Sequence, residues 1–290
     1  MKAVEVQELP RVARRAVLER RRGLESIVEP WLRLHSALAY LFLYIPIGVV
    51  IIYAFNDSRL VSVWGGFTTH WFGDALRDVT IVRSLENSLL VASMNALLAT
   101  VFGLGAALAL QRVGPRLRLF FNTLIYATLV TPEVVVAMAS LIFFVRVGVP
   151  LGLPTIIATH VVWNTSVVTL LVRARLAGMD RTLEEASFDL GATPWGTFRQ
   201  VTLPLLIPAV VAGFLVSITF SFDDFLLSFF VSGPGSTTLP VKIFSMLRFG
   251  VSPITNALSA MILAFTLSVV FMAQYLLRQE GRGVRLVRVR

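Results

Sequence analysis

Five stretches of this sequence contain no aspartate, glutamate, lysine or arginine: 34–56, 87–111, 147–172, 200–222 and 249–277. A bilayer core is about 30 Å thick, and a helix rising about 1.5 Å per residue needs roughly 20 apolar residues to cross it. Each stretch is long enough. A sixth, 119–145, is apolar except for Glu133. Lipid offers the backbone no hydrogen-bond partner, so each segment must be helical. The expected fold class is therefore an all-α membrane protein with six transmembrane helices. Composition agrees: 56% of residues are hydrophobic and 15% charged, against about 45–50% and about 25% in soluble domains. A soluble enzyme with a polar surface, a disordered chain and a collagen-like chain are excluded. Cysteine is absent, which removes disulfides and thiolate-bound metals.

The basic residues orient the helices. With the N-terminus inside, segments 1–33, 112–118, 173–199 and 278–290 hold 20 of the 26 lysines and arginines. Segments 57–86 and 233–248, with Arg146, hold the other six. This positive-inside bias predicts cytoplasmic N- and C-termini. Topology and contact with anionic membrane lipids account for the net charge of +9 without any nucleic acid. Residues 1–33 read as a basic cytoplasmic arm. Pro10 can open a helix there that reaches Glu29. The remainder, 34–290, reads as one transmembrane domain containing a long cytoplasmic loop, 173–204.

Enzymatic chemistry finds little support. Lys2 and Lys242 have no phosphate-binding glycine loop around them, so no ATP site is expected in this chain. His35, His70 and His160 are scattered and form no zinc motif, and no nucleophile elbow is present. No catalytic residue and no metal site is expected. His160 reads as a packed interhelical group.

Charge inside the apolar segments is scarce and wholly acidic. An ionisable group in lipid is expensive and is by default a functional candidate. Asp223 lies about 27 Å along the fifth segment, near its outer end. Glu133 lies about 21 Å along the third, beside Pro132, which removes a backbone donor. Asp223, Asp224 and Glu133 are candidates to line one path for a cationic cargo. Phe220 and Phe222 can add cation–π or methylene contacts, and Trp163 and Asn164 are further path candidates. Gly103/Ala107 and Gly105/Ala109 read as sites of close helix contact. Gly233, Pro234 and Gly235 bend the chain into a short amphipathic helix, Val241 to Leu247.

The loop from Arg173 is the most informative stretch. Asp180 can cap a helix whose first turn carries Glu184 and Glu185. Gly191 can end it in a left-handed conformation. Thr193-Pro194 then opens a second short helix, and Leu203-Pro204 leads into the next membrane segment. The product is a bracket at the inner membrane surface with one exposed face.

Glu185-Ala186-Ser187, then Gly191, then Val201, Leu203 and Pro204 match the E-A-A, G, I-x-L-P spacing of permeases from binding-protein-dependent ABC importers. Ser187 and Val201 are small departures. The segment from Ser221 and the sequence AFNDS at 54–58 resemble the polyamine-importing branch of that family. The basic arm departs from its pattern. The resemblance implies a type I importer (MetI-like) permease fold in a bacterial inner membrane. It implies one half of a heterodimeric pore moving spermidine or putrescine by alternating access. Its partners would be a second permease, a pair of ATPase subunits and an extracytoplasmic polyamine-binding protein. ATP and Mg would be bound by that ATPase, and this chain would hold no cofactor. Glu184, Glu185, Ala186, Ser187, Asp189, Gly191, Leu203 and Pro204 would form the ATPase-coupling element. Alternatives are the same fold importing another small solute, such as an opine-like compound, thiamine or iron, or an ion-coupled secondary transporter.

Overall fold

In a computed structural model of the chain, residues 11–58, 63–248 and 250–286 are described. The ends of the basic arm and tail, 1–10 and 287–290, lie outside them. All regular elements among the described residues are helical, in two compact units.

The first unit joins residues 1–72 to 252–290. Its long helices are α1 (Arg11–Ala54) and α12 (Pro253–Leu286). The segment Pro30–Ala54 is predominantly apolar and almost wholly uncovered, as lipid-facing surface should be; Phe42 is 79% exposed. The helix expected to stop at Glu29 does not stop there, and α1 continues through Pro30 and Pro46. After Ala54 the chain folds around Asn56, which is 1% exposed. Its Oδ1 accepts from the Gly65 amide at 2.8 Å, its Nδ2 donates to the Val63 carbonyl, and its own carbonyl accepts from Trp71 Nε1. Ala54, Trp71 and Ala257 form the small core of this unit.

The second unit, residues 73–251, contains the candidate site. A short helix, α2 (His70–Arg77), leads into it. Asp78 then caps α3 (Val79–Arg112), accepting from the amides of Thr80 and Ile81. The Thr80 side chain, donating to the same carboxylate, is the main reason that Asp78 sits below the usual carboxylate range. Next come α4 (Pro115–Val130), α5 (Glu133–Val147) and α6 (Leu153–Ala177). A bracket follows, made of α7 (Thr182–Asp189), α8 (Pro194–Thr197) and a π-helical turn, Phe198–Thr202. The unit closes with α9 (Leu203–Asp223), α10 (Leu226–Val231) and α11 (Leu239–Arg248). The last extends one residue or two beyond each end of the expected 241–247.

The core of this unit is α3, α6 and α9 side by side, with Ala99, Ala107, Val168, Val172 and Leu206 fully buried among them. A second cluster, Val91, Ile156 and Val231, joins α3 and α6 to α10. Small residues allow the close approach. A β-carbon at Gly103 would lie 2.6 Å from Val168 Cβ, whereas one at Gly105 would meet nothing within 4 Å.

Three of the expected spans plus α1 are continuous: Pro30–Ala54, Val79–Arg112, Leu153–Ala177 and Pro194–Asp223. Among the described residues these four helices are long and apolar enough to cross a membrane, with the bent pair α4 and α5 as a fifth, while α12 is apolar over the shorter stretch Pro253–Ser268. The segment 119–145 is not one helix. It is a broken pair, α4 and α5, bent by 109° at Thr131-Pro132. The cause is local. Proline has no amide hydrogen and disfavours helical geometry at the residue before it. Thr131 and Pro132 are accordingly both extended, with ψ of 131° and 132°. Thr131 Oγ1 donates at 2.6 Å to the Ala127 carbonyl, which also accepts from the Thr131 amide, so the last turn of α4 is closed twice before the break. Glu133 therefore opens α5 instead of lying inside a long helix.

Candidate functional site

The site begins with a second break. After Asp223 the chain leaves the helix, because Asp224 is extended at φ −68°, ψ 126°. It re-enters at Leu226. The Asp224 carboxylate covers the amides exposed by this break, with Oδ2 accepting from Ser228 N at 2.8 Å and Oδ1 from Leu227 N at 3.3 Å. From α6, His160 reaches the same carboxylate, with Nε2 3.1 Å from Asp224 Oδ2. Its Nδ1 is 2.7 Å from Ser221 Oγ, and the imidazole is 1% exposed. From α5, the Glu133 carboxyl comes close enough to Asp224 to interact with it directly.

These groups border a cavity of about 490 Å³. Glu133, Asp223, Asp224, Trp163, Asn164 and Phe220 all line it, together with His160 and Phe225. Among the described lining residues there is no lysine or arginine. Trp163 and Phe220 meet edge to face, their ring centroids 5.3 Å apart. Phe222 does not join them. It is 9% exposed and absent from the cavity wall. Helical geometry explains why: positions 220 and 223 share a face, while 222 points well away from 220. Phe225, within the break, packs against Phe244 of α11 with ring centroids 4.5 Å apart and the planes tilted by 42°.

A polar chain continues inward from the cavity. Asn164 Nδ2 donates to the His160 carbonyl and to Asn95 Oδ1, and Asn95 Nδ2 donates to the Ser217 carbonyl. The sequence marks His160 as an interhelical packing group and does not reveal its tie to Asp224. The available signal was general: a histidine in an apolar helix must find a partner. Which partner depends on a residue 64 positions away.

The bracket lies elsewhere in the unit. Asp180 Oδ1 accepts from the Thr182 amide, which holds its carboxyl below the usual range. The N-cap position itself is Arg181. Glu184 and Glu185 are in the first turn of α7. At its end, Gly191 takes φ +83°, the Gly191 amide donates to Phe188 and that of Ala192 to Ser187. These two bonds form a Schellman cap. Thr193 then caps α8, accepting from Gly196 N, with Pro194 in the first turn. Leu203 N bonds back to the Phe198 carbonyl, and Pro204 follows in the first turn of α9.

The coupling residues divide into two groups. Glu184 turns inward and accepts from Thr202 Oγ1 at 2.5 Å, and Ser187 Oγ pairs with Thr197 Oγ1 at 3.0 Å. Glu185, Ala186, Asp189 and Gly191 are exposed. Around them the bracket also exposes apolar side chains: Leu183, Phe188, Leu190 and Trp195.

Residues 99–280 match the family model for the binding-protein-dependent transport system inner membrane component. The chain belongs to this family. It is thus a multi-pass inner-membrane transport component. Among relatives, this permease is 40% identical over 271 residues to the putrescine transport system permease protein PotI of Escherichia coli (strain K12), covering 91% of this chain and 96% of that protein. It is 36% identical to the spermidine/putrescine transport system permease protein PotC of the same strain, covering 84% and 92%. The fold of the permease resembles that of a bacterial ABC transporter importing the polysaccharide alginate, with a TM-score of 0.68, 16% identity, and coverage of 89% of this chain and 99% of that one. It also resembles the MetNI methionine ABC transporter, with a TM-score of 0.58, 20% identity, and coverage of 68% and 94%.

Proposed function

We propose that this permease is one half of a heterodimeric pore in an ATP-driven importer, and that its cargo is a polyamine such as putrescine or spermidine. The observation that carries the cargo class is the cavity wall, where the exposed carboxyls of Glu133 and Asp223 stand without a lysine or arginine. Such a wall favours an organic cation. Trp163 and Phe220 offer ring faces to ammonium groups and to the methylenes between them. The relatives named for putrescine and spermidine support the same cargo.

The bracket 173–204 is the element through which ATP hydrolysis acts. Its capped turns make a short rigid lever, and its exposed residues, Phe188, Leu190 and Trp195 among them, suit a partner's groove. The partners are a second permease, a pair of ATPase subunits holding ATP and Mg, and an extracytoplasmic polyamine-binding protein. Closure of the ATPase pair would drive the levers together and switch the pore between inward-open and outward-open states. The bracket and both termini are cytoplasmic, as the arginine distribution implies.

The test is uptake by the complex reconstituted in proteoliposomes with its ATPase and binding protein. ATP-dependent accumulation of labelled putrescine or spermidine is expected. Failure of both, with another solute stimulating ATP hydrolysis through the same complex, would reject the cargo. Uptake by this chain without the ATPase would reject the ABC mechanism.

A further inference from the structure

Asp223 and Asp224 are neighbours in sequence and opposites in environment. Asp223 ends α9 and is exposed, while Asp224 is 8% exposed. Both oxygens of Asp224 are engaged. One accepts from Leu227 N, and the other from Ser228 N, with His160 Nε2 3.1 Å away. The imidazole is itself fixed, since Nδ1 is 2.7 Å from Ser221 Oγ and Ser228 Oγ is 3.3 Å from Nε2. Turning Asp224 toward a cargo would strand two buried amides and the ring, and buried groups left unpaired are costly. The exposed carboxyl of Asp223 carries no such obligation to the α9–α10 break, and that of Glu133, though it also approaches Asp224, holds none of the amides of the break.

We propose that His160 is a positioning residue that withdraws Asp224 from the cargo, leaving Asp223 and Glu133 as the carboxylates that read it. The inference rests on the cavity being the cargo passage. Asp224 and His160 then secure the break between α9 and α10, from which Asp223 is presented. The number of carboxylates open to the cargo is set by this pairing, and so is the preference between diamine and triamine.

The experiment compares three isosteric variants in the reconstituted complex, with uptake normalised to the amount of complex recovered. Asp223→Asn and Glu133→Gln are each expected to lower uptake by about tenfold or more, the scale of one charge-assisted hydrogen bond. Asp224→Asn should stay within about threefold of the parent, because asparagine still offers an acceptor to Ser228 and His160 and gives up only the longer bond from Leu227 N. A fall in Asp224→Asn matching that of Asp223→Asn would overturn the division of roles and leave the cavity reading standing. Parental uptake in all three would overturn both. A fourth variant, His160→Ala, is read by competition between labelled putrescine and spermidine in the same vesicles, a ratio independent of yield. Release of Asp224 should raise the spermidine-to-putrescine ratio. An unchanged ratio would reduce His160 to packing and overturn the proposal.

Discussion

Gly103 and Gly105 stand two residues apart on α3 and meet opposite surroundings. Gly103 lies against Val168, whose β-carbon a side chain at 103 would strike, while Gly105 opens onto free space. Gly103→Ala should destabilise the α3–α6 contact by about 1–3 kcal/mol, the usual cost of overpacking. Gly105→Ala should be neutral or slightly stabilising, since alanine is the better helix former. Thermal unfolding of the detergent-purified complex checks both, and equal effects would contradict the packing described. The two small-residue pairs were legible in the sequence as candidates. Only the neighbouring helix separates them, because spacing alone does not say which face of α3 is met by Val168. The same holds for the adjacent aspartates, whose identical side chains acquire different roles from what surrounds them.

At the scale of elements, breaks matter as much as helices. Pro132 divides the third apolar segment by a local rule, so the break itself was readable, but the 109° angle was not. In the bracket, the Gly191 turn and the Thr193 cap also follow local rules, and both are present where the spacing predicted. The π-helical turn Phe198–Thr202 and the bond from Thr202 to Glu184 had no local signal. That bond closes α7 onto the start of α9, and so ties the lever to the membrane helix it is meant to move. Thr202→Val keeps the volume and removes the hydroxyl. It should lower transport per ATP hydrolysed by about tenfold or more, the equivalent of one hydrogen bond to a charged group. The check is a paired measurement of uptake and ATPase rate in the same vesicles. A proportional fall in both, or no change in their ratio, would show that the bond does not transmit force.

For the molecule as a whole, the distribution of arginines makes a prediction about sidedness. The chain lacks cysteine, so single cysteines can be introduced without background. Leu190 is 89% exposed on the bracket and Phe67 is 72% exposed in the segment 57–86. In intact cells a membrane-impermeant maleimide should label Phe67→Cys and spare Leu190→Cys, and inverted vesicles should reverse the pattern. Labelling of Leu190→Cys in intact cells would invert the topology.

The sequence by itself determined the class of molecule: apolar length dictates membrane helices, arginines give them an expected orientation, and fixed spacing marks the bracket. These are properties of consecutive residues, set by helix rise, capping and the cost of charge in lipid. Tertiary structure decided the site. It buried Asp224 and exposed Asp223, excluded Phe222 from the cavity and joined His160 on α6 to a carboxylate at the end of α9. Those outcomes depend on which helices lie side by side, and a buried polar group takes its role from the partner that packing brings to it.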